Sequence, residues 1–110
     1  MASVFWFSKL KPGVDPAAYE GWVQQTDYRL AQGVAAIEHY RVHRVVGPME
    51  GGGQLPYDYI EVLQVSDLED YRTAMAQDPA IVRIIAEIGQ FVESVGSAWG
   101  TMIAPLGKEQ

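Results

Sequence analysis

Two histidines and an arginine alternate through a segment whose other residues favour a β-strand. Residues 39–46, HYRVHRVV, contain tyrosine and valine, which fit a pleated strand. Because the side chains of a strand alternate between its two faces, His39, Arg41 and His43 share one face. That face is either open to water or lines a site, and in the second case the two imidazoles are candidate general acids or bases.

The spacing of the histidines excludes one metal ion bound by both. On a strand the Cα atoms of His39 and His43 lie about 13 Å apart. Metal–nitrogen bonds of about 2 Å cannot close that gap. We therefore predict no metal site, and two catalytic imidazoles on one wall of a substrate pocket. The alternative is a solvated polar face.

Three charged residues complete the predicted site. Arg41 would favour neutral imidazoles or bind a substrate carboxylate, or it would form a salt bridge with Glu61 on the neighbouring strand. Glu61 is either an acid/base partner of a histidine or a charge balance. Asp27 lies about 80° from the centre of the apolar stripe of its helix, where its carboxylate is either catalytic at the rim of the sheet or an ordinary boundary residue.

Aromatic residues supply the predicted substrate contacts, namely Phe7, Tyr57 and Tyr59, with ordinary packing as the alternative. The sequence has no cysteine and no serine within a triad pattern. Residues 47–53, GPMEGGG, match neither glycine-rich phosphate loop, and are interpreted as a mobile flap or a simple hairpin loop. We therefore expect no cofactor.

Length and charge restrict the class of protein. With 110 residues the chain is predicted to form one domain, 1–110. A net charge of −6 argues against nucleic acid as a partner. The first ten residues lack the basic and apolar parts of an export signal, and no segment reaches the roughly 18 apolar residues of a membrane span. We expect a cytoplasmic protein without membrane contact.

The predicted elements alternate between strands and helices. The strands are residues 3–10, 37–46, 57–65 and, more weakly, 96–106. The first helix begins at Pro16 after the N-cap Asp15 and has an apolar stripe of Tyr19, Trp22, Val23, Thr26 and Leu30. Ser66 and Glu69 form a predicted capping box for a short second helix. A third helix starts at Asp78 and Pro79, and its isoleucine stripe over residues 81–92 is interpreted as core.

This order predicts an α+β, ferredoxin-like βαββαβ fold with an antiparallel four-stranded sheet and helices on one face. Tyr40, Val42, Ile60 and Val62 are assigned to the helix side. The opposite side is assigned His39, Arg41, His43, Tyr57, Tyr59, Glu61 and Leu63, with either Phe5 and Phe7 or Trp6 from the first strand. Because such an aromatic surface is unfavourable in water, we predict a homodimer.

Three segments resemble the RedY/HapK-like proteins of the dimeric α/β-barrel superfamily, which also holds EthD-like proteins and cofactor-free monooxygenases. They are KLKPGVDPAAYEGWVQQTDY, IEHYRVHRVVGP and PYDYIEVLQVSDLEDYR. The resemblance covers roughly residues 4–95 and implies specialised metabolism, because RedY-like proteins occur in pathways to prodiginines and tryptophan-derived bis-indoles. It also supports a site role for Asp27, which lies in the matching segment TDY.

Three functions are compatible with these observations. The first is a cofactor-free enzyme that cyclises, hydrates or rearranges an indole- or pyrrole-containing intermediate by proton transfer. The second is a cofactor-free monooxygenase of an aromatic intermediate. The third is a non-catalytic dimeric protein that binds such intermediates. Each has an aromatic small molecule as its partner.

Overall fold

A computed structural model describes residues 1–107. The helices of this region are α1 (Pro16–Trp22), α2 (Tyr28–Ala31), α3 (Leu68–Gln77) and α4 (Pro79–Ile88), with a π-helical turn, Val23–Asp27, joining α1 to α2. The strands are β1 (Ala2–Leu10), β2 (Ile37–Arg44), β3 (Tyr59–Val65) and β4 (Val92–Gly100). None of the helices within residues 1–107 combines the length and the apolar character that crossing a bilayer requires.

The sheet has the strand order β2-β3-β1-β4, and each neighbouring pair is antiparallel. Each helical connection therefore crosses over a strand, from β1 to β2 and from β3 to β4, as the split βαβ arrangement requires. The predicted ferredoxin-like fold is confirmed. Its consequence for the site is that β1 and β3, which carry Trp6 and Glu61 opposite each other, lie at the centre of the sheet.

All helices pack on one face of the sheet, which we call the covered face. Its buried residues include Val4, Tyr40, Leu63 and Val65, which pack with residues of α2, α3 and α4. The other face, which we call the open face, is covered by none of the helices described above and consists chiefly of Phe5, Phe7, His39, Arg41, His43, Ile60 and Val62. For the first strand, Phe5 and Phe7 are thus the residues opposite to the helices.

The two faces of β3 are the reverse of those predicted. Tyr59 and Leu63 are buried under the helices, and Glu61 points to the same side, whereas Ile60 and Val62 lie on the open face. The prediction failed because hydropathy alone sends isoleucine and valine inward. Here polar side chains are turned inward because a buried hydrogen-bonded cluster receives Glu61, and a strand obeys a strict period of two.

The π-helical turn brings Asp27 to the buried side of the first helical segment. The backbone N–H of Tyr28 donates to the carbonyl of Val23, five residues earlier instead of four. Steps of four then place Tyr19, Val23, Asp27 and Ala31 on one buried line. A regular helix of 3.6 residues per turn places Asp27 at the edge of the apolar stripe. The sequence pattern does not reveal that one turn contains an extra residue, which is why the prediction missed the buried position of Asp27.

Several element boundaries also differ from the predictions. Asp67, not Ser66, caps α3, because its carboxylate accepts hydrogen bonds from the backbone N–H groups of Glu69 and Asp70. Asp15 is the N-cap of α1 as predicted, and the helix predicted to start at Asp78 and Pro79 has Asp78 as its N-cap. The last strand is Val92–Gly100, so the end of the predicted isoleucine stripe belongs to β4, and residues 101–107 are not strand.

Adjacent residues of β2 should respond oppositely to truncation. Val42 lies on the covered face and packs against two clusters of buried apolar residues, while His43 is exposed on the open face. We expect Val42→Ala to lower the free energy of unfolding by about 1 to 2 kcal/mol through lost burial. His43→Ala should change the free energy of unfolding by less than about 0.5 kcal/mol. Chemical denaturation measures both, and a larger loss for His43→Ala would contradict the assignment of faces.

Candidate active site

A cavity of about 250 Å³ lies between the covered face of the sheet and the helices. Its walls are mostly apolar, and α4 contributes Ile81, Ile84, Ile85 and Ile88. The isoleucine stripe is therefore not only core, as predicted, but also one wall of this cavity, and Ile85 is 48% exposed. Few polar groups line this cavity, so those that are present control how a ligand is oriented.

Two carboxyl groups share one hydroxyl at the sheet side of this cavity. The Tyr40 hydroxyl lies 2.6 Å from Oδ2 of Asp27 and 3.2 Å from Oε1 of Glu61. Asp27 comes from the π-helical turn, Tyr40 from β2 and Glu61 from β3, so three separate elements build the cluster. Asp27 is fully buried, and all three residues line the cavity.

The number of protons in this cluster follows from the donors available. The Tyr40 hydroxyl has one hydrogen and can donate to only one of the two carboxyl groups. The second contact is a hydrogen bond only if the other carboxyl is protonated and donates to the Tyr40 oxygen. The shorter distance, to Asp27, is typical of an ionised acceptor. The arrangement therefore fits an Asp27 carboxylate, a Tyr40 donor and a protonated Glu61.

Burial raises the pKa of both carboxyl groups. Desolvation raises the pKa of Asp27 to about 6, against a smaller lowering effect of the Tyr40 hydrogen bond. Desolvation, with the nearby Asp27 charge as a further cause, raises the pKa of Glu61 to about 7. The pKa of Tyr40 is also raised well above its usual value, chiefly by burial. One proton is thus shared by the two carboxyls near neutral pH, where acid/base catalysis is most effective.

A second polar pair lies on the α3 side of the cavity. The indole N–H of Trp6 donates to the hydroxyl oxygen of Tyr71 at 3.1 Å.

An irregularity between Phe7 and Ser8 shifts the pairing of β1 with β4, so that Ser8 lies opposite Ser94. Such bulges redirect side chains, and both serines line the cavity. The hydroxyl of Ser8 is buried and has no hydrogen-bond partner among residues 1–107.

The residues predicted to form one site do not lie together in this chain. Glu61 and Asp27 lie under the helices, whereas His39, Arg41 and His43 are exposed on the opposite face of the sheet. The salt bridge with Glu61, which was one alternative for Arg41, is therefore absent from residues 1–107. Instead, the Arg41 guanidinium donates to the carbonyl of Tyr40 and lies 6.0 Å from the centre of the Tyr28 ring, at the outer edge of β2.

The predicted aromatic contacts are also divided between the faces. Phe7 and Tyr57 pack together beside the open face, with ring centroids 5.1 Å apart. Tyr59 is buried under the helices, where its hydroxyl donates to Glu20, the carboxylate that also pairs with Arg44. That burial corrects the predicted open-face position of Tyr59. The Tyr59 hydroxyl donates its hydrogen to Glu20, and Tyr59 is not among the residues that line the cavity.

Sequence reasoning missed Tyr40, Trp6 and Tyr71 as site residues. Tyr40 was assigned correctly to the helix side, but only as packing. A buried tyrosine needs a hydrogen-bond partner for its hydroxyl, and that requirement was the available signal linking Tyr40 to Asp27 and Glu61. Among residues 1–107, no group of three or more His, Cys, Asp or Glu side chains is arranged to hold a metal ion.

The stability of the protein should fall as pH rises from about 4.5 to about 7. In this window the unfolded chain has ionised carboxyls while the folded chain, with the pKa of Glu61 raised to about 7, still holds its proton. The contribution is complete below the unfolded pKa and lost once pH passes the folded one. At about 1.4 kcal/mol per pKa unit, the raised pKa of Glu61 corresponds to about 3 kcal/mol, and Glu61→Gln should remove that part of the fall in stability.

Urea unfolding at a series of pH values measures this slope. Glu93→Gln on β4 is the matched control, because Glu93 is exposed and lies outside the cavity. The control should keep the slope of the unaltered protein. Equal slopes for Glu61→Gln and the unaltered protein would mean that Glu61 titrates like an exposed glutamate.

Comparison with known proteins gives a consistent result over the length of the chain. A family model described as "REDY-like protein HapK" matches residues 2–103. No curated protein sequence matches the chain. Among solved structures, the crystal structure of HapK from Hahella chejuensis is similar with a TM-score of 0.81 and 20% identity, and both chains are covered completely.

Two further solved structures share the fold. SnoaB, a cofactor-independent oxygenase from Streptomyces nogalater, has a TM-score of 0.70 at 15% identity, with 97% of each chain covered. A dimeric ferredoxin-like protein of unknown function from Thermobifida fusca has a TM-score of 0.70 at 15% identity, covering 92% of this chain and 90% of the other. With the family match over residues 2–103, the chain belongs to the REDY-like HapK family.

Proposed function

We propose that this protein is a cofactor-free biosynthetic enzyme that moves a proton between two positions of an indole- or pyrrole-containing intermediate. The observation that carries the proposal is the pair of carboxyls, Asp27 and Glu61, joined by the Tyr40 hydroxyl in an apolar cavity. Electron-rich heteroaromatic rings are activated by protonation at carbon, and cyclisation, hydration or rearrangement then needs a base nearby. The membership in the REDY-like HapK family supports a role in tailoring such intermediates.

In the proposed mechanism Glu61 is the acid and Asp27 is the base. Before reaction, Glu61 holds a proton and donates to Tyr40, while Tyr40 donates to the Asp27 carboxylate. Glu61 gives its proton to a ring carbon, and Asp27 accepts a proton from another position of the same substrate. The Tyr40 hydrogen then turns from Asp27 to Glu61, so that it always points at the ionised carboxyl.

The hydroxyl at the centre explains why this exchange needs no further cofactor. The cluster carries one negative charge before and after the step, so the apolar cavity never holds two charged carboxylates, which desolvation would make costly. Passing the Asp27 proton to Tyr40, and the Tyr40 proton to Glu61, restores the starting state. In a cyclisation or rearrangement the substrate leaves with the same number of protons that it brought, and in a hydration it gains only those of the added water.

The size of the cavity restricts what can be enclosed. At about 250 Å³ it is smaller than the roughly 300–1,000 Å³ typical of pockets for drug-sized ligands. It therefore suits one heteroaromatic ring system, and the remainder of a bis-indole or prodiginine-type intermediate would extend outside. The apolar wall of α4 favours the uncharged ring over an ionic substrate.

We further propose that two chains associate through their open faces. Phe5, Phe7, Ile60 and Val62 form an apolar surface on the open face that no helix covers. Apolar patches of this kind on a sheet are unfavourable in water. The fold likeness to the dimeric protein from Thermobifida fusca is in keeping with this arrangement.

The predicted roles of the open-face residues follow from this association. His39, Arg41 and His43 lie along β2, at the edge of the apolar surface, and Phe7 and Tyr57 lie beside it. In a dimer these side chains would face the partner instead of bulk water. A catalytic role for the two histidines stays a prediction, and it would have to act in a space between the two sheets, separate from the cavity.

Changes to the carboxyl cluster should abolish turnover. With freshly generated bis-indole or prodiginine-type intermediates as substrates, Glu61→Gln or Tyr40→Phe should lower the rate about 10²- to 10⁴-fold. The unaltered enzyme should show a bell-shaped pH profile with limbs near about 6 and about 7, because the reactive form has one ionised and one protonated carboxyl. Quantitative mass analysis of the products measures the rate.

The reaction class is read from the same assay. We expect no uptake of oxygen at an electrode and an unchanged product yield under nitrogen. Glu93→Gln serves as the control and should keep the full rate. Stoichiometric oxygen consumption would identify an oxygenase instead, and binding without any turnover would identify a carrier of the intermediate.

The proposed dimer makes a separate prediction. Light scattering at micromolar concentration should give twice the mass of one chain, and high salt should not dissociate it, because apolar burial drives the association. Phe5→Glu, which puts a charge in the middle of the apolar surface, should shift the protein to monomer. A monomeric mass for the unaltered protein would contradict the association.

A further inference from the structure

The cavity has polar atoms of opposite character on two of its walls. Beside the sheet, at the π-helical turn, Oδ1 of Asp27 is buried and has no hydrogen-bond partner in the described part of the chain, although Oδ2 accepts from Tyr40. Asp27 is fully buried and lines the cavity, so this second oxygen is an unused acceptor. An unpaired acceptor in such a place carries an energetic cost that a ligand N–H would remove.

On the α3 side the hydroxyl of Tyr71 is an unused donor. Its oxygen accepts the indole N–H of Trp6, and within residues 1–107 its own hydrogen has no acceptor. The Trp6 contact fixes the orientation of the hydroxyl, because one lone pair of the oxygen is occupied. Tyr71 is buried, 6% exposed, and lines the same cavity as Asp27.

The backbone holds Tyr71 firmly in this position. Tyr71 lies in the first turn of α3, and its N–H donates to the carbonyl of the N-cap Asp67. Burial, together with the carboxyls of Glu61 and Asp27, raises the pKa of Tyr71, so that the phenol keeps its proton at neutral pH. The hydroxyl is therefore available as a donor and not as a base.

We propose that Tyr71, oriented by Trp6, is a specificity-determining donor, and that the cavity selects heteroaromatic rings bearing both an N–H and a carbonyl oxygen. The N–H donates to Oδ1 of Asp27, and the carbonyl oxygen accepts from Tyr71. This inference rests on the proposed function for the class of ring. It adds a second recognition element that the carboxyl cluster does not supply.

A carbonyl conjugated to the ring lowers the basicity of the ring carbons, so with such a ring the removal of a proton by Asp27 comes before the donation of a proton by Glu61. Hydrogen bonding from Tyr71 withdraws electron density from the carbonyl and makes the ring N–H more acidic, which favours its transfer to Asp27. Tyr71 would thus bind the substrate and bias the direction of proton movement. Because Tyr71 contacts the ligand, it contributes to both binding and rate, but it forms no covalent bond with the substrate.

Two small probes that differ only in this oxygen test the proposal. 3-Methylindole and indole-3-carbaldehyde share the ring and the N–H, and only the second has a carbonyl. Isothermal titration calorimetry on the full chain should show tighter binding of the carbaldehyde. Tyr71→Phe should weaken carbaldehyde binding about tenfold and leave 3-methylindole within about twofold.

Two further variants separate the hydrogen bond from effects of shape. Met75→Leu, one turn further along the cavity wall of α3, should change the affinity for both probes by the same factor. Trp6→Phe removes the N–H that orients Tyr71, and should again weaken only the carbaldehyde. Should Tyr71→Phe fail to fold, as judged by its thermal transition, Trp6→Phe carries the same comparison.

The outcomes distinguish this inference from the proposed function. If Tyr71→Phe and Trp6→Phe weaken both probes equally, or neither, the donor role of Tyr71 is overturned while binding of 3-methylindole still supports the ring class. If the unaltered protein binds neither probe at millimolar concentration, both the inference and the proposed ring class are wrong. Selective loss of carbaldehyde affinity supports the inference.

Discussion

The hydroxyl of Tyr40, placed between the buried carboxyl of Asp27 and the half-buried carboxyl of Glu61, is the interaction on which the site depends. Oxygen distances of 2.6 and 3.2 Å leave room for one hydrogen from Tyr40 and one from a carboxyl. Without Tyr40, Asp27 and Glu61 would face each other in an apolar cavity, where two charges are costly to bury. The hydroxyl therefore allows the pair to keep one proton and one charge, and that state is what a reversible proton transfer needs.

The rest of the fold can be understood as the scaffold that meets this constraint. The π-helical turn rotates Asp27 onto the buried line of its helix, and β3 turns Glu61 inward at the cost of sending Ile60 and Val62 to the open face. Leaving two apolar residues only half-buried there is unfavourable for an isolated chain, and the proposed association of two sheets would bury them. A local requirement of the site is thus linked to the surface on the far side of the sheet.

The sequence was sufficient to predict the fold and to single out two residues of the candidate site. Its order of strands and helices, with the caps Asp15 and Asp78, follows from local chemistry that any short segment displays. Glu61 and Asp27 were predicted as catalytic residues, but the partner considered for Glu61 was a histidine, whereas Tyr40 is the side chain that contacts both carboxyls. Hydropathy placed Ile60 and Val62 inside, since a period of two cannot tell which of two mixed faces holds a buried polar cluster.

The direct test of this account is the protonation state of Glu61 in the folded protein at neutral pH. Isotope-edited infrared spectroscopy with labelled glutamate resolves the carbonyl stretch of a protonated carboxyl from that of a carboxylate. We expect a protonated band that persists above the usual pKa of glutamate, disappears around pH 7, and is missing in Glu61→Gln. A spectrum in which all glutamates are ionised by about pH 5.5 would contradict the shared proton at the centre of the mechanism.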